Sequence, residues 1–200
     1  VKFLSESAQM VGACVLRPGP TSSGLHLSVK VHSGSAGAVV VNFKVLETPH
    51  RAGPSNALRT PLKIELDFAG GKHYEFEDVD ELHARFVEPL VAHATAFASH
   101  RKFCDSVKGT VDEKVSQEWT AARGASSPYY LGVSSDRGVT SWFISFAVNS
   151  RTSPCKVHHE YLHCTPDGYY FRKKDYDDLE RVIAVFKKQP ISKEREKERA

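Results

Sequence analysis

Arg17 ends an apolar run of the sequence and is followed by a loop of small residues, an arrangement that could bind phosphate. It is the only charged residue between Glu6 and Lys30, so a guanidinium in this otherwise apolar stretch must find an anion. A guanidinium offers parallel N–H donors that match two phosphate oxygens. We therefore predict an anion site at the end of this strand; the alternative interpretation is a surface arginine before a Pro-Gly turn.

The loop after Arg17 supplies further donors for the same anion. Thr21, Ser22 and Ser23 carry hydroxyl groups, and the backbone N–H groups of the loop can curl into an anion-binding nest. His26, on the strand that follows, could donate another hydrogen bond, although a solvated strand residue is an equally good interpretation. The stretch from Arg17 to His26 is therefore the candidate phosphate site.

Residues 159–163 match HExxH, the signature of zinc peptidases. That signature requires a helix, because residues four apart on a helix can bind one Zn²⁺ together. Here the segment is flanked by prolines and its residues alternate, which indicates a strand, and on a strand His159 and His163 lie about 13 Å apart. A zinc metallopeptidase using His159, Glu160 and His163 is thus the alternative from the enzyme class, and polar residues on the open face of a strand are the favoured interpretation.

The composition favours a soluble globular module. The 200 residues are 40% hydrophobic, and the 27 basic and 24 acidic residues are dispersed, so the charge does not favour nucleic acid as the main partner. None of the four cysteines is in CxxC spacing, which argues against a zinc ribbon and favours a reducing compartment. No apolar run reaches 18 residues and the chain begins without Met, so we expect a module of a longer protein with no membrane partner. No GxSxG, Walker loop or GxGxxG motif occurs, so no cofactor is implied.

Hydrophobic periodicity divides the first half into a short helix, several strands and a long helix. The short helix is predicted over residues 5–11. Asp78 and Glu81 form a capping box at the start of the long helix, and Pro89 predicts a kink because it lacks an N–H. The strands are predicted over residues 14–16, 25–31, 38–46 and 62–68, with a long loop over residues 48–61.

The second half repeats this order of elements. A helix is predicted to begin with a capping box at Thr110 and Glu113, and the final helix to begin at Asp177. The strands between them are predicted over residues 129–134, 141–148, 155–164 and 169–171. Helix, strands and helix thus occur twice.

The repeated order, with Arg17 on its second element, resembles a pair of Src-homology-2 folds. Residues 76–89 are similar to the second helix of the tandem Src-homology-2 region in transcription elongation factors and histone chaperones of the suppressor-of-Ty class. The resemblance covers residues 5–188 and implies an α+β fold of two Src-homology-2-like domains. Each would be a small antiparallel sheet flanked by helices, and a helical connector would join them into one rigid unit. Three shorter segments, residues 16–18, 128–130 and 165–169, also occur in the same order along the chain as in that family.

The resemblance also implies a function. It implies a nuclear, non-enzymatic monomer that binds the phosphorylated largest subunit of RNA polymerase II, at the linker before the C-terminal repeats. Arg17 would take phosphothreonine with a phosphotyrosine beside it, and Lys102 and Lys187 would line a separate phosphoserine site. The implied domains span residues 1–101 and 102–190, followed by a charged tail over residues 191–200.

Several positions depart from the family pattern. Asn42, with Lys44 nearby, stands where ordinary Src-homology-2 domains carry a histidine, and both join the candidate phosphate-binding residues of the first domain. Pro18 and Gly19 begin the loop where the family tends to place a serine. Gly132 stands about where the second domain would carry its pocket arginine. We therefore predict that the second domain does not bind phosphate in the usual way, which disfavours a generic phosphotyrosine adaptor, the alternative from the same binding class.

Overall fold

The computed structural model describes residues 4, 10–19, 24–35, 37–47, 61–69, 71–122, 127–136, 139–148 and 155–188. Most of the predicted first helix, the loop residues Thr21, Ser22 and Ser23, and the charged tail lie outside these residues. The described elements form two five-stranded antiparallel sheets with helices packed on them. The predicted α+β class is confirmed.

The five strands of the first sheet are β1 (Cys14–Pro18), β2 (Leu25–Gly34), β3 (Gly37–Glu47), β4 (Leu62–Leu66) and β5 (Lys72–Phe76). They pair in chain order. Alternation along β2 buries Leu27, Val29 and Val31 on one face, as the sequence predicts. Ser28 and Lys30 on the other face are fully buried as well, so the middle of β2 is not half-buried as predicted. The strand predicted over residues 62–68 is shorter in the structure, because the chain forms a 3-10 turn, Asp67–Ala69, directly after β4. Strand β5, which follows this turn, is not predicted from the sequence.

The long helix of the first half is made of three consecutive segments: α1 (Val79–Leu82), a π-helical turn (His83–Val87) and α2 (Glu88–Ala98). Asp78 caps it by accepting a 2.9 Å hydrogen bond from the Glu81 N–H, as predicted. The π-helical turn ends at Val87, two residues before Pro89, which stands in the first turn of α2, where a missing N–H costs least. The kink predicted at Pro89 is therefore an irregular turn just before it.

The second half contains α3 (Lys108–Ala121), β6 (Tyr129–Asp136), β7 (Val139–Val148), β8 (Lys156–Thr165), β9 (Gly168–Phe171), β10 (Lys174–Tyr176) and α4 (Leu179–Lys188). Two predicted helix starts are wrong. Helix α3 begins one turn before Thr110, with Val107 at the N-cap, and in α4 the Arg181 N–H donates to Asp178 instead of Asp177. None of the helices in the described part of the chain has the length and apolar character that a membrane span needs.

Helix α2 lies between the two sheets and contributes to one hydrophobic core that contains residues of both. Phe97 on α2 is fully buried and meets Trp142 of β7 edge to face, with 5.0 Å between the ring centroids. Phe86, in the π-helical turn, packs against Phe43 of β3, with centroids 4.9 Å apart. Each such aromatic pair contributes about 0.5–1.5 kcal/mol beyond the area that it buries.

Polar contacts also join the first sheet to the turn between β8 and β9. The Tyr74 hydroxyl donates a 2.8 Å hydrogen bond to Asp167, and Lys72 Nζ lies 2.8 Å from the same carboxylate. Burial raises the pKa of Asp167, but hydrogen bonds from Lys72 and Tyr74 outweigh burial and lower it. Beside this cluster, the rings of Phe68 and His163 stack with centroids 3.9 Å apart. The two sheets therefore meet through both apolar and charged contacts.

Candidate functional site

Three basic side chains lie in one row across the first sheet. Arg17 on β1 is directly opposite His26 on β2, and His26 is directly opposite Lys44 on β3. Directly opposed residues of antiparallel strands project from the same face, with Cβ atoms about 5 Å apart. The structure thus brings together three of the predicted phosphate-binding residues, which we call the basic row.

Arg17 is exposed at the end of β1, and no carboxylate in the described residues forms an ion pair with it. Lys44 is also exposed. The carboxylate of Glu65 is close enough to Lys44 to interact with it. Because the hydrogen bond with Lys63 lowers the pKa of Glu65 most and Lys44 lowers it least, Glu65 is paired with Lys63 and not with Lys44. A guanidinium and an ammonium without tight internal partners can both donate to an external anion.

The backbone closes the loop directly beside the basic row. The Gly19 N–H donates a 2.8 Å hydrogen bond to the Gly24 carbonyl, which fixes both ends of the loop that contains Thr21, Ser22 and Ser23. A Cβ built on Gly19 would lie 3.0 Å from the His26 ring and 2.9 Å from the Gly24 carbonyl oxygen, so only glycine allows this approach. The hydroxyl positions themselves lie outside the described residues.

Asn42 lies one rung further along the same face, away from the loop. The Ser28 hydroxyl, which is fully buried, donates a 2.6 Å hydrogen bond to Asn42 Oδ1. Because Ser28 is directly opposite Asn42 and two residues from His26, this pair borders the basic row. The amide oxygen of Asn42 is therefore occupied internally, and only its NH₂ group remains as a donor to an anion.

Lys102 and Lys187, the two lysines assigned to a second site, lie close together around Tyr129. Their Nζ atoms are 5.8 Å and 5.3 Å from the centroid of its ring. The backbone of Lys102 is fixed beside the edge strand β6, because its carbonyl accepts a 2.9 Å hydrogen bond from Leu131 and its N–H donates to His100. Lys187 comes from the last turn of α4. Elements far apart in sequence thus place two cations on one ring.

Three further residues complete this cluster, and sequence reasoning did not find them. Lys102 and Lys114 place their Nζ atoms 4.7 Å and 4.6 Å from the centroid of the Tyr130 ring. Glu118, one turn after Lys114 on α3, has a carboxylate oxygen 3.5 Å from Lys102 Nζ. Burial and then the Glu118 carboxylate raise the pKa of Tyr130. We call Lys102, Lys114, Lys187, Tyr129, Tyr130 and Glu118 the lysine cluster. The four-residue spacing of Lys114 and Glu118 is the sequence signal that could have indicated these two residues.

Within the described strands of the second sheet, the row that corresponds to the basic row carries no cation. Gly132 on β6 is directly opposite Phe143 on β7, and Phe143 is directly opposite Tyr161 on β8. A Cβ built on Gly132 would lie 2.5 Å from the Phe143 ring, and the Tyr161 hydroxyl accepts a 2.9 Å hydrogen bond from Lys108. Glycine, phenylalanine and tyrosine thus form a row of three across β6, β7 and β8, in the chain order that the basic row follows across β1, β2 and β3.

The HExxH segment lies on β8, a strand as predicted. His159 Nε2 is 2.8 Å from Asp112, Glu160 pairs with Arg172, and His163 stacks on a phenylalanine of the first sheet. The three side chains thus have separate partners. Among the described residues, no group of three or more His, Cys, Asp or Glu side chains is arranged to hold a metal ion.

Comparison with known proteins identifies relatives of this chain. A family model described as SH2 domain matches residues 1–189. The transcription elongation factor SPT6 homolog of Arabidopsis thaliana is 35% identical over 113 residues, which are 56% of this chain and 6% of that protein. The suppressor of Ty 6 homolog of Caenorhabditis elegans is 29% identical over 180 residues, which are 88% of this chain and 11% of that protein. The chain thus spans about a tenth or less of these relatives.

A solved structure has the same fold. It is the tandem SH2 domain in transcription elongation factor Spt6, which binds the phosphorylated RNA polymerase II C-terminal repeat domain. The match has a TM-score of 0.72 at 16% identity and covers 96% of this chain and 88% of that one. The predicted resemblance to the tandem Src-homology-2 region of the suppressor-of-Ty class is confirmed.

Proposed function

Since this chain belongs to the SH2 domain family, we propose that it is a phosphopeptide-binding module, and not an enzyme, that docks a nuclear transcription elongation factor on phosphorylated RNA polymerase II. The observation that carries the proposal is the basic row, in which Arg17, His26 and Lys44 project from one face and Arg17 has no ion pair in the described residues. The relative that binds the phosphorylated C-terminal repeat domain supports the choice of partner.

The first site, within residues 1–101, takes phosphothreonine with a phosphotyrosine beside it. Arg17 donates to two phosphate oxygens, and His26 and Lys44 lie on the same face within reach of the ester. Thr21, Ser22 and Ser23 belong to the loop whose base closes at Gly19 and Gly24, and they supply hydroxyl donors in this proposal.

The second site, within residues 102–190, takes phosphoserine between Lys102 and Lys187. Both ammonium groups lie on the ring of Tyr129, which holds them without neutralising them. This unit does not bind phosphate at Gly132, the position that corresponds to Arg17 of the first unit, because the Phe143 ring fills the space beside Gly132. The two units therefore hold phosphate by different means.

Two sites joined by a shared core make the second contact intramolecular. Affinities of the separate sites then combine, so that a doubly phosphorylated peptide that spans both binds about 10² to 10⁴ times more tightly than either single phosphopeptide.

The test is fluorescence anisotropy with peptides from the polymerase linker and from its C-terminal repeats, phosphorylated at threonine, serine or both. Arg17→Ala is expected to weaken phosphothreonine binding about 10- to 100-fold, because it removes charge-assisted hydrogen bonds. Arg85→Ala is the matched control, since Arg85 is an exposed arginine paired with Glu81 on the helix. Unchanged affinity of Arg17→Ala would remove Arg17 from the site.

The same peptides separate the proposal from its alternatives. Tight binding of a peptide that carries phosphotyrosine alone would favour a generic phosphotyrosine adaptor. A preference for linker or repeat peptides decides which segment of the polymerase is bound. Binding that is equally strong without any phosphate would contradict the proposal as a whole.

A further inference from the structure

Lys114 and Glu118 lie beside the two lysines of the second site. We propose that Lys114 is a third phosphate-binding cation and that Glu118 is an internal anion that holds Lys102 until a phosphate replaces it. This inference rests on the proposed function, because it concerns the same site.

Lys102 is the central cation of the lysine cluster. It lies over both tyrosine rings, whereas Lys187 lies over Tyr129 and Lys114 over Tyr130. The two tyrosines are consecutive on an edge strand, so their side chains leave opposite faces of the sheet. The cations therefore follow the edge of the sheet from α4 to α3, and a phosphate at Lys102 has a further ammonium group on either side.

Glu118 occupies the part of this edge that a phosphate needs. Its Oε1 atom is 3.5 Å from Lys102 Nζ, a long and partly exposed contact that is easily broken. Its Oε2 atom is buried and accepts no hydrogen bond from any described residue. Besides this contact, Glu118 interacts with the Tyr130 hydroxyl, whose pKa it raises. Neither contact is a short ion pair, so the carboxylate can release Lys102 when a stronger anion arrives.

The charges of the cluster match one phosphate ester. Three lysines and one glutamate leave two net positive charges on the edge. A phosphoserine carries about −1.5 to −2 at pH 7, whereas the carboxylate of an unmodified acidic residue carries −1. Glu118 therefore favours phosphate over a peptide carboxylate, since only the dianion compensates the cluster while Glu118 stays ionised.

The test measures anisotropy of a singly phosphorylated serine peptide, and of the same peptide with glutamate in place of phosphoserine, on the whole chain. Lys114→Gln is expected to weaken phosphopeptide binding about threefold to tenfold, the value of one partly exposed charged contact. Glu118→Gln is expected to strengthen it about twofold to fivefold and to strengthen the glutamate peptide more. Lys174→Gln is the control, because Lys174 is exposed on β10, at the opposite edge of the same sheet from β6.

The outcomes separate this inference from the function on which it rests. If Lys102→Gln and Lys187→Gln abolish binding while Lys114→Gln behaves like Lys174→Gln, the role of Lys114 is overturned and the phosphoserine site stands. If Glu118→Gln weakens binding, its role as a displaced anion is overturned. If none of the lysine variants changes the affinity, the phosphoserine site is overturned as well. Because Lys114 is exposed, loss of folding does not obscure its variant; thermal unfolding of each variant checks this.

Discussion

The ring of Phe143 fills the space that any side chain at Gly132 would need, with 2.5 Å between the ring and a Cβ built on the glycine. Gly132 is the fourth residue of β6, the first strand of the second sheet. The fourth residue of β1, the first strand of the first sheet, is Arg17, which lies opposite His26. The two sheets therefore share a topology but differ in the chemistry of one row. That difference is the reason why we propose a second phosphate site at the lysine cluster and not in this row.

Gly132→Ala is expected to lower the free energy of unfolding by about 1–3 kcal/mol, because the added methyl group overlaps a buried ring. Chemical denaturation measures this change. Gly109→Ala on α3 is the control, since a Cβ there meets nothing within 4 Å and alanine favours a helix. In the double variant Gly132→Ala with Phe143→Leu, part of the lost stability should return. If it does not, overlap with the Phe143 ring is not the cause of the loss.

Arg172→Met is expected to lower the free energy of unfolding by about 3–5 kcal/mol, because it leaves the carboxylate of Glu160 buried without its partner. The side chains of Arg172 and Glu160 are only 13% and 12% exposed, and Arg172 Nε donates a 2.6 Å hydrogen bond. Chemical denaturation checks the loss, and Glu160→Gln in the same chain should recover part of it. Arg181→Met, which breaks only ion pairs of exposed side chains, should leave the stability nearly unchanged.

Much of the fold follows from local sequence patterns. Strands β2 and β3 are predictable because apolar and polar residues alternate along them, although burial of Ser28 and Lys30 on the polar face of β2 is not. Asp78 with Glu81 marks the start of the long helix. The short edge strands β5 and β10 are not predicted. Each pairs on one side only and has at most five residues, so its hydrogen bonds to a neighbour define it more than its own pattern.

The candidate sites are only partly predictable. Arg17 stands out because it is a lone charge in an apolar stretch, but its alignment with His26 and Lys44 depends on strand register. Only the family resemblance points to Lys102 and Lys187. Lys114 and Glu118 join them only because α3 packs beside β6, a tertiary contact that no local spacing reveals.

The stability of the chain is expected to fall as the pH falls below about 6.5, because of His163. Burial against Phe68 lowers the pKa of this imidazole from 6.5, so the unfolded chain binds more protons between the folded and unfolded pKa values. Stability is then fully present above the unfolded pKa and is lost on acidification towards the folded one. Chemical denaturation at a series of pH values between 7 and 5 measures the slope.

His163→Phe keeps a ring against Phe68 and removes the titrating group, so it should flatten this slope. A slope remains from His100, whose pKa burial also lowers. His73→Phe is the control, because the His73 side chain is 51% exposed. An unchanged slope in His163→Phe would show that other groups cause the pH dependence.

The two sheets are expected to unfold in one transition, because α2 and Phe97 belong to a core that both share. Both tryptophans of the chain, Trp119 and Trp142, lie in the second half, so their fluorescence reports only that half directly. Leu27→Ala on β2 removes a buried side chain from the first sheet and should cost about 2–5 kcal/mol. The tryptophan transition should report this whole loss as a lower denaturant midpoint. Val79→Ala, at a position 53% exposed, should leave the midpoint unchanged. A tryptophan midpoint that ignores Leu27→Ala would mean that the sheets unfold independently, and the fixed spacing between the two proposed phosphate sites would then lose its physical basis.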